Sequence, residues 1–346
     1  MEFLPEDLVR ECLVRVPYKS HEKLKDVCRS WEGMVNSPEF YEDRKRFGTT
    51  EQLICLIQHY PEEHEYAVTI YDPAKGTWET LPPFINDPYS LGQLPNSCEC
   101  VSANGKLVLI GGEVDRKVLK TVYIYDFKTA KWSCGAEMSV ARYRFASSVS
   151  PSTGLIYVAG GRDNNGDSVR VAEVYDVEKD KWEILPPSNQ ERSSGCPGVF
   201  LDEKFIVLGV EEFGEIAEES VEVFDPSGGS WTWREDMWSF QVQTLRDSAV
   251  AVANSASGRD LYVFFEEEVI KYDREKRDWG AVASLPHHIP KYSAATHWRD
   301  CIFVTGYNPY EKQYHIPFLF KPSTGEFIEI QCHIPGIVLS ATTVEI

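Results

Sequence analysis

The chain has 346 residues, of which 42% are hydrophobic and 12% aromatic, a composition that can fill a large core. Its formal net charge of −19 argues against nucleic acid and against an anionic membrane surface as partners. No apolar stretch approaches 18 residues, so no transmembrane helix is predicted. The acidic start at Met1-Glu2-Phe3 does not match a secretory signal, which begins with basic charge.

Residues 1–46 have helical patterns and no strand pattern. A first helix is predicted after Pro5, which the first helical turn tolerates, and Pro17 ends it. A second helix is predicted from an N-cap at Ser20, and Ser37-Pro38 begins a third. A domain of this length has a marginal core on its own, and its apolar side is large for its size, which predicts a binding partner.

Short motifs in this helical segment match a known family. They are Leu4-Pro5-Glu6-Asp7-Leu8, Cys12-Leu13, Val16-Pro17, Val27-Cys28-Arg29-Ser30-Trp31 and Ser37-Pro38-Glu39-Phe40. Together they resemble an F-box nearly continuously over residues 3–41. The resemblance implies that the helices dock on the Skp1 adaptor of a cullin-RING ubiquitin ligase. The residues that it assigns to this contact are Leu4, Pro5, Leu8, Leu13, Val16, Pro17, Leu24, Val27, Cys28 and Trp31.

An interval recurs through residues 47–346. An aromatic-Asp pair is followed by Trp seven residues after the aromatic, and a sixth, altered copy has Phe320 and Phe327 at this interval. The five full copies are Tyr71-Asp72/Trp78, Tyr125-Asp126/Trp132, Tyr175-Asp176/Trp182, Phe224-Asp225/Trp231 and Tyr272-Asp273/Trp279. A period near 50 residues with several strands in each unit indicates a β-propeller, and the signature resembles kelch repeats. Helices followed by these repeats resemble plant kelch-repeat F-box proteins over the whole chain.

The predicted fold is mainly β: a small three-helix F-box domain in residues 1–46, then a six-bladed kelch propeller in residues 47–346. Short apolar runs ahead of each aromatic predict buried strands, and Gly111-Gly112 and Gly160-Gly161 end two of them. In later repeats, the position of the glycine pair is occupied by Gly209-Val210, Phe264-Phe265 and Thr305-Gly306. The first unit lacks an inner strand, so Ile337 to Glu345 is predicted to complete blade one and close the ring.

The sequence gives little indication of catalysis. It contains no GxSxG, HExxH, GxxxxGK[ST] or GxGxxG motif, and its histidines lack carboxylate partners at motif spacing. The nine cysteines follow no metal-binding pattern, and thiols in a reducing cytosol or nucleus are the simpler interpretation. We therefore expect no cofactor, no metal and no enzymatic activity.

The connections between blades predict where a target protein binds. In a four-stranded blade, the connection between the second and third strands and the connection to the next blade share one face of the ring. Basic and aromatic residues recur at the second kind of connection, inside an acidic rim that includes Glu113, Asp115 and Asp163. The predicted target-binding residues are Arg142, Tyr143, Arg144, Arg192, Arg246, Lys291 and Tyr292. The alternative is that the arginines tie neighbouring blades together through buried carboxylates.

The resemblance implies a substrate receptor of an SCF-type ubiquitin ligase, located in the cytoplasm or nucleus. The F-box would bind Skp1, and through it cullin, and the propeller would bind a target, such as phenylalanine ammonia-lyase or another phenylpropanoid enzyme, or a cytokinin response regulator. Two alternatives stay open: a kelch enzyme or small-molecule-binding protein, and an F-box adaptor outside a ligase. A channel mouth plugged by apolar side chains would remove the first of these.

Overall fold

The computed structural model describes residues 4–60, 65–83, 94–189, 195–209, 221–237, 249–255, 258–265, 267–286, 289, 291–307, 314–332 and 334–346. In these residues, four α-helices at the N-terminus precede six four-stranded antiparallel sheets arranged as a β-propeller. None of the helices in the described ranges is long and apolar enough to cross a membrane.

The N-terminal domain contains one more α-helix than the sequence predicted. The helices are α1 Glu6–Leu13, α2 His21–Lys25, α3 Arg29–Asn36 and α4 Pro38–Arg46, with a 3₁₀ turn at Tyr18–Ser20. The predicted second helix is divided into α2 and α3 because Cys28 has extended backbone, at φ −164° and ψ 160°. Ser20 directly precedes α2, as expected, but its side chain makes no capping hydrogen bond.

A small core holds these helices together. Leu13 and Val14 from α1 and its end pack with Met34 and Val35 of α3 and with Phe40 of α4. All five side chains are buried. The division between α2 and α3 lets Met34 and Val35 turn inwards while Val27 stays 58% exposed.

The first three blades share one pattern, in which the strands follow each other from the channel outwards. Blade one contains β27 Ile337–Glu345, β1 Gln52–Tyr60, β2 Glu65–Asp72 and β3 Thr77–Thr80. Blade two contains β4 Glu99–Ala103, β5 Lys106–Ile110, β8 Val122–Asp126 and β9 Lys131–Gly135, with a hairpin of β6 Glu113–Val114 and β7 Lys117–Val118. Blade three contains β10 Ala146–Val149, β11 Ile156–Ala159, β12 Ala172–Asp176 and β13 Lys181–Leu185.

The last three blades repeat this order. Blade four contains β14 Gly198–Leu201, β15 Lys204–Leu208, β16 Val221–Asp225 and β17 Ser230–Trp233, followed by a 3₁₀ turn at Glu235–Met237. Blade five contains β18 Ala249–Ser255, β19 Gly258–Phe265, β20 Glu268–Asp273 and β21 Asp278–Ser284. Blade six contains β22 Lys291–Trp298, β23 Cys301–Tyr307, β24 Tyr314–Lys321 and β25 Glu326–Glu329, and β26 Ile334–Pro335 pairs with β24.

The ring closes as predicted, and the closing strand has the predicted bounds. β27 pairs antiparallel with β1 from Gln52–Glu345 to His59–Ile337, with a register shift at Ile57. Its inner-strand neighbours are β22 of blade six and β4 of blade two. At the blade-six side, buried His315 accepts a hydrogen bond at Nε2 from the backbone N–H of Val338, 3.3 Å away, and its Nδ1 lies 3.1 Å from the Ser293 hydroxyl.

The recurring Trp residues join neighbouring blades. The indole Nε1–H of Trp132 donates to the Pro82 carbonyl of the preceding blade, at 2.8 Å. Trp182, Trp231 and Trp279 repeat this contact. The carbonyls that accept these three bonds belong to Ala136, Pro186 and Met237. One tryptophan therefore contributes both aromatic packing and a hydrogen bond at each of these blade junctions.

The glycine pair in blade two lies where a neighbouring backbone comes close. Gly111 and Gly112 have φ of 61° and 91°. A Cβ on Gly111 would lie 2.5 Å from the Arg142 carbonyl oxygen, and one on Gly112 would lie 2.7 Å from that of Asn96. Only glycine combines this backbone conformation with this close approach. The pair therefore lets the inter-blade connections pack against the strand end.

Candidate functional site

The helical domain contacts one end of the propeller. Tyr41 Oη donates to the Glu345 carbonyl at 3.1 Å, and Lys25 Nζ donates to the Lys128 carbonyl at 3.1 Å. The Tyr18 backbone N–H donates to Glu51, just before β1, at 2.7 Å. These contacts lie at the end of the propeller where the inner strand of each blade ends and where the third strand of each blade turns into the fourth. The described residues of the helices do not cover the opposite face, which carries the β6–β7 hairpin and the connection from blade two to blade three.

Arg44 is the central contact between the helices and the ring. Its side chain is 2% exposed. Nη1 donates to the carbonyls of Val14 and Val16, at 2.9 and 2.7 Å, and Nη2 donates to that of Thr49 at 2.8 Å. Nη2 also lies 3.4 Å from a carboxylate oxygen of Glu51. Burial of the guanidinium lowers the pKa of Arg44, and the Glu51 charge opposes this shift.

Six of the ten residues predicted to bind Skp1 are exposed on the helical domain. Leu4 is 63% exposed, Val27 58% and Leu8 46%, all high values for large apolar side chains. The other exposed members are Pro5, Pro17 and Cys28. Exposed apolar side chains that cluster on a small domain mark an interaction surface. We call Leu4, Pro5, Leu8, Val27 and Cys28 the helical face.

The other four predicted residues are less accessible. Val16, Leu24 and Trp31 are half-buried, and Leu24 and Trp31 pack against the helical core. Leu13 is only 3% exposed and belongs to that core. It has no free surface with which to contact a partner, so the structure removes it from the predicted set. Helical spacing alone did not separate the outward side from the inward side of α1.

Arg142 is buried and is not exposed on the face that was predicted to bind a target. Its side chain and that of Glu173 are both 0% exposed, with Nη2 2.6 Å from the Glu173 carboxylate. Nη1 donates to the carbonyls of Gly160 and Val171, at 3.2 and 2.7 Å. Arg142 therefore fixes the connection from blade two onto blade three. The alternative role, a tie between blades through a buried carboxylate, is the correct one for this residue.

The remaining predicted target-binding residues divide into three groups. Arg144 is exposed and Lys291 is half-buried, and both line the channel near the uncovered face. Tyr143, beside Arg144 in the chain, is half-buried. Tyr292 is 1% exposed and packs in the core between blades five and six, so it is not available to a target. Arg192 and Arg246 lie outside the described residues, and their part in the site stays a prediction.

The inner strands surround a channel of about 1000 Å³. Its lining is mixed, with Arg144 and Lys291 near the uncovered face and Arg259 and His297 towards the helical domain. Between them, the Ser147 hydroxyl donates to the Glu99 carboxylate at 2.9 Å. No apolar plug fills the channel in the part of the chain that the structure describes. The small-molecule alternative is therefore not removed.

Glu99 and His297 are among the channel-lining side chains whose pKa is shifted. Burial raises the pKa of the Glu99 carboxyl to about 7, against the opposing effect of the Ser147 hydrogen bond. Burial and the charge of Arg259 lower the pKa of His297. Across the described ranges, no group of three or more His, Cys, Asp and Glu side chains is placed to hold a metal ion.

Large, partly exposed side chains gather around the start of the closing strand, which the sequence analysis missed. Tyr314 and Leu339 are each 39% exposed and Ile337 is 38% exposed, with half-buried Tyr60 and Tyr66 beside them. We call these five residues the closure patch. The local signal was the density of aromatic side chains at the ends of β1, β2 and β24. Their proximity depends on how the ring closes, which no local pattern states.

Family comparisons agree with this architecture. The F-box domain model matches residues 1–43, and the Kelch motif model matches residues 95–139 and 143–189. The two kelch matches cover blades two and three, the blades with intact glycine pairs. The chain therefore combines an F-box domain with a kelch propeller.

Similar proteins give the same assignment over most of the chain. The F-box/kelch-repeat protein At2g44130 of Arabidopsis thaliana is 34% identical over 80% of this chain and 73% of its own length. The F-box/kelch-repeat protein SKIP20 of the same plant is 33% identical over 77% and 74%. At1g80440, also an Arabidopsis thaliana F-box/kelch-repeat protein, is 31% identical over 82% and 81%. The chain belongs to the F-box/kelch-repeat proteins.

The family has consequences for partners. An F-box domain implies Skp1 binding, and a kelch propeller implies a protein–protein interaction. Relatives of this kind suggest an adaptor rather than a catalytic enzyme.

Proposed function

We propose that this chain is the substrate receptor of an SCF-type ubiquitin ligase in the cytoplasm or nucleus. The helical face binds Skp1, which connects the chain to cullin, and the uncovered face of the propeller binds the target. The observation that carries the proposal is the arrangement of these two surfaces. The helical domain is fixed to one end of the ring through Arg44, whose Nη2 reaches Thr49, Glu51 and Ile346. This leaves the described inter-blade connections at the other end available to a target.

The receptor contributes proximity rather than chemistry. Ubiquitin transfer takes place on the recruited E2, and the receptor holds a target lysine near it at high effective concentration. By resemblance to plant relatives, the targets are phenylpropanoid enzymes such as phenylalanine ammonia-lyase, or cytokinin response regulators. The targets are ubiquitinated and then degraded by the proteasome.

The Skp1 contact is tested with Leu4→Ala combined with Pro5→Ala. Both residues are exposed, so we expect Skp1 co-purification to be lost while the melting temperature stays unchanged. The matched control is Ile184→Ala, which removes a 70% exposed apolar side chain from the outer strand of blade three. Undiminished Skp1 capture by the double variant would contradict the assignment of the helical face.

The ligase role is tested separately from the Skp1 contact. Tagged chain should co-purify with both Skp1 and cullin, and the abundance of a captured target should rise when the proteasome is blocked. Skp1 without cullin would instead support an adaptor that acts outside a ligase.

The channel supports one second candidate, a small-molecule site. Its volume of about 1000 Å³ and its mixed lining, which includes Glu99 and Arg259, are the features of a ligand pocket. Native mass spectrometry of the purified chain would detect a retained ligand, and Glu99→Gln should change its retention. A mass equal to that of the bare chain, together with normal target capture, would exclude this candidate.

A further inference from the structure

The closure patch lies on the uncovered face because three parts of the chain meet at the ring closure. His59 is the register partner of Ile337 on one side and of Tyr66 on the other. The His59 and Tyr66 rings stack at 4.5 Å. These three paired residues place Ile337 and Tyr66 on the uncovered face, at the junction between blades one and two.

The segment from Pro335 to Leu339 brings the other members of the patch together. Tyr314 is the register partner of Pro335, and Tyr60 packs beside Gly336, where its ring carbon lies 3.2 Å from the position of a Cβ. Gly336 has φ of 76°, and a side chain there would also lie 2.5 Å from the His59 carbonyl oxygen. The glycine thus lets the closing segment pass between the tyrosines.

Leu339 connects the patch to the basic channel mouth. It lines the channel together with Lys291 and Arg144. Two contacts align β22 with β27: Ser293 and Val338 both contact His315, and the hydroxyls of Thr296 and Thr343 lie 3.1 Å apart. Lys291, at the start of β22, is therefore beside the start of β27. An apolar and aromatic surface therefore borders a cationic one.

We propose that the closure patch and the adjacent channel mouth form the specificity site for the target, and that this site binds an extended protein segment in which a bulky apolar residue lies next to carboxylates. The inference rests on the proposed function of the uncovered face. A few residues carry most of the binding energy of a protein interface, and tyrosine is enriched among them. The charge of Arg144 and Lys291 selects acidic neighbours and fixes the register of the bound segment.

The net charge of the whole chain does not oppose this selection. At physiological ionic strength, exposed charges more than about 8 Å apart are largely screened. The segment therefore responds to the cations at the mouth rather than to the total charge of −19. The acidic rim, with Asp115 and Asp163, restricts where its carboxylates can lie, so they are confined to the mouth.

The experiment selects a random 12-residue phage-displayed library on the full chain purified with Skp1. We expect the selected peptides to share an aromatic or large aliphatic residue within three positions of Asp or Glu. A synthetic peptide of that consensus should lose at least tenfold in affinity when its apolar residue is replaced by Ser, and again when its carboxylates are replaced by Lys.

The site is located with variants of the chain. Tyr314→Ser with Ile337→Ser should weaken the consensus peptide at least tenfold, and so should Lys291→Glu. The matched control is Val282→Ser, which removes a 43% exposed apolar side chain from the outer strand of blade five and should have no effect. Melting temperatures confirm that each variant is folded.

Each outcome decides the inference. A basic consensus, the lack of any consensus, or full affinity in the closure-patch variant would overturn it. Skp1 retention, measured on the same preparations, separates this result from the proposed function. If the closure-patch variant keeps full peptide affinity while Skp1 stays bound, the inference fails but the receptor role does not. If the unaltered chain does not bind Skp1, the receptor role itself is contradicted.

Discussion

Arg142 and Arg144 are two residues apart on the connection between blades two and three, yet their surroundings are opposite. Arg142 has no exposed surface and reaches the Glu173 carboxylate at 2.6 Å. Arg144 is exposed at the channel mouth, at φ 52°, with its guanidinium 6.0 Å from the Tyr143 ring. One arginine stabilises the fold and the other is available to a partner.

The matched pair Arg142→Gln and Arg144→Gln tests this difference. Arg142→Gln leaves the Glu173 charge buried without its cation, and so we expect the free energy of unfolding to fall by about 3–5 kcal/mol. Arg144→Gln should change it by no more than about 0.5 kcal/mol, as is usual for exposed positions. Denaturant unfolding of the full chain measures both, and equal losses in the two variants would show that burial does not separate their roles.

At the scale of the element, β27 is the strand on which the ring depends. It supplies the inner strand of blade one although it begins more than 270 residues after the end of β1, with which it pairs. His315 holds its start, and Glu51 exchanges backbone hydrogen bonds with Ile346 just beyond its end, each at 2.9 Å. Without β27, the edge of β1 would be unpaired.

A chain that stops at Pro335 should therefore aggregate or melt at least roughly 10 °C below the full chain, because an unpaired edge strand and several kcal/mol of packing are exposed. A synthetic peptide of residues 336–346 should restore the melting temperature when added in trans, and a scrambled peptide should not. Differential scanning calorimetry measures the transition. A truncated chain that melts like the full chain would refute closure by β27.

At the scale of the whole molecule, the helices and the ring are joined by buried polar contacts. Arg44 donates to four carbonyls: those of Val14 and Val16 after α1, that of Thr49 in the segment that leads to β1, and that of Ile346 just beyond β27. A planar guanidinium can serve these acceptors together because its donors form a rigid fork. The contact fixes the direction of the helical face relative to the propeller.

Arg44→Met should loosen this junction, because the carbonyls of Val14, Val16 and Thr49 each lose the Arg44 donor, although Val14 keeps Thr49 Oγ1 and Val16 keeps His21 Nε2 as a partner. We expect faster proteolysis and faster hydrogen exchange in residues 4–50, with the propeller unchanged. Arg46→Met is the matched control, since the Arg46 side chain is 69% exposed and contacts Asp43 and the Phe47 ring, both near the end of its own helix. Equal protection in both variants would contradict a central role for Arg44.

Much of the fold could be predicted because its signals are local and repeated. The aromatic-Asp and Trp interval indicated six units, and the structure has six blades in which Trp132, Trp182 and their counterparts join neighbours. Closure also followed from counting strands, since the unit without an inner strand and the spare strand at Ile337–Glu345 had to match. The four helices differ from the predicted three because the break at Cys28 has no proline or glycine to mark it.

The sequence by itself determined the family, the number of blades, the closing strand and the residue types of the helical face, because each depends on motifs within a few tens of residues. Only the tertiary structure decided that Leu13, Arg142 and Tyr292 are buried while Arg144 is exposed, since neighbours distant in the chain control burial. It also decided that Tyr60, Tyr314 and Ile337 share one surface. The ring closure brings them together, and no spacing along the chain encodes that contact.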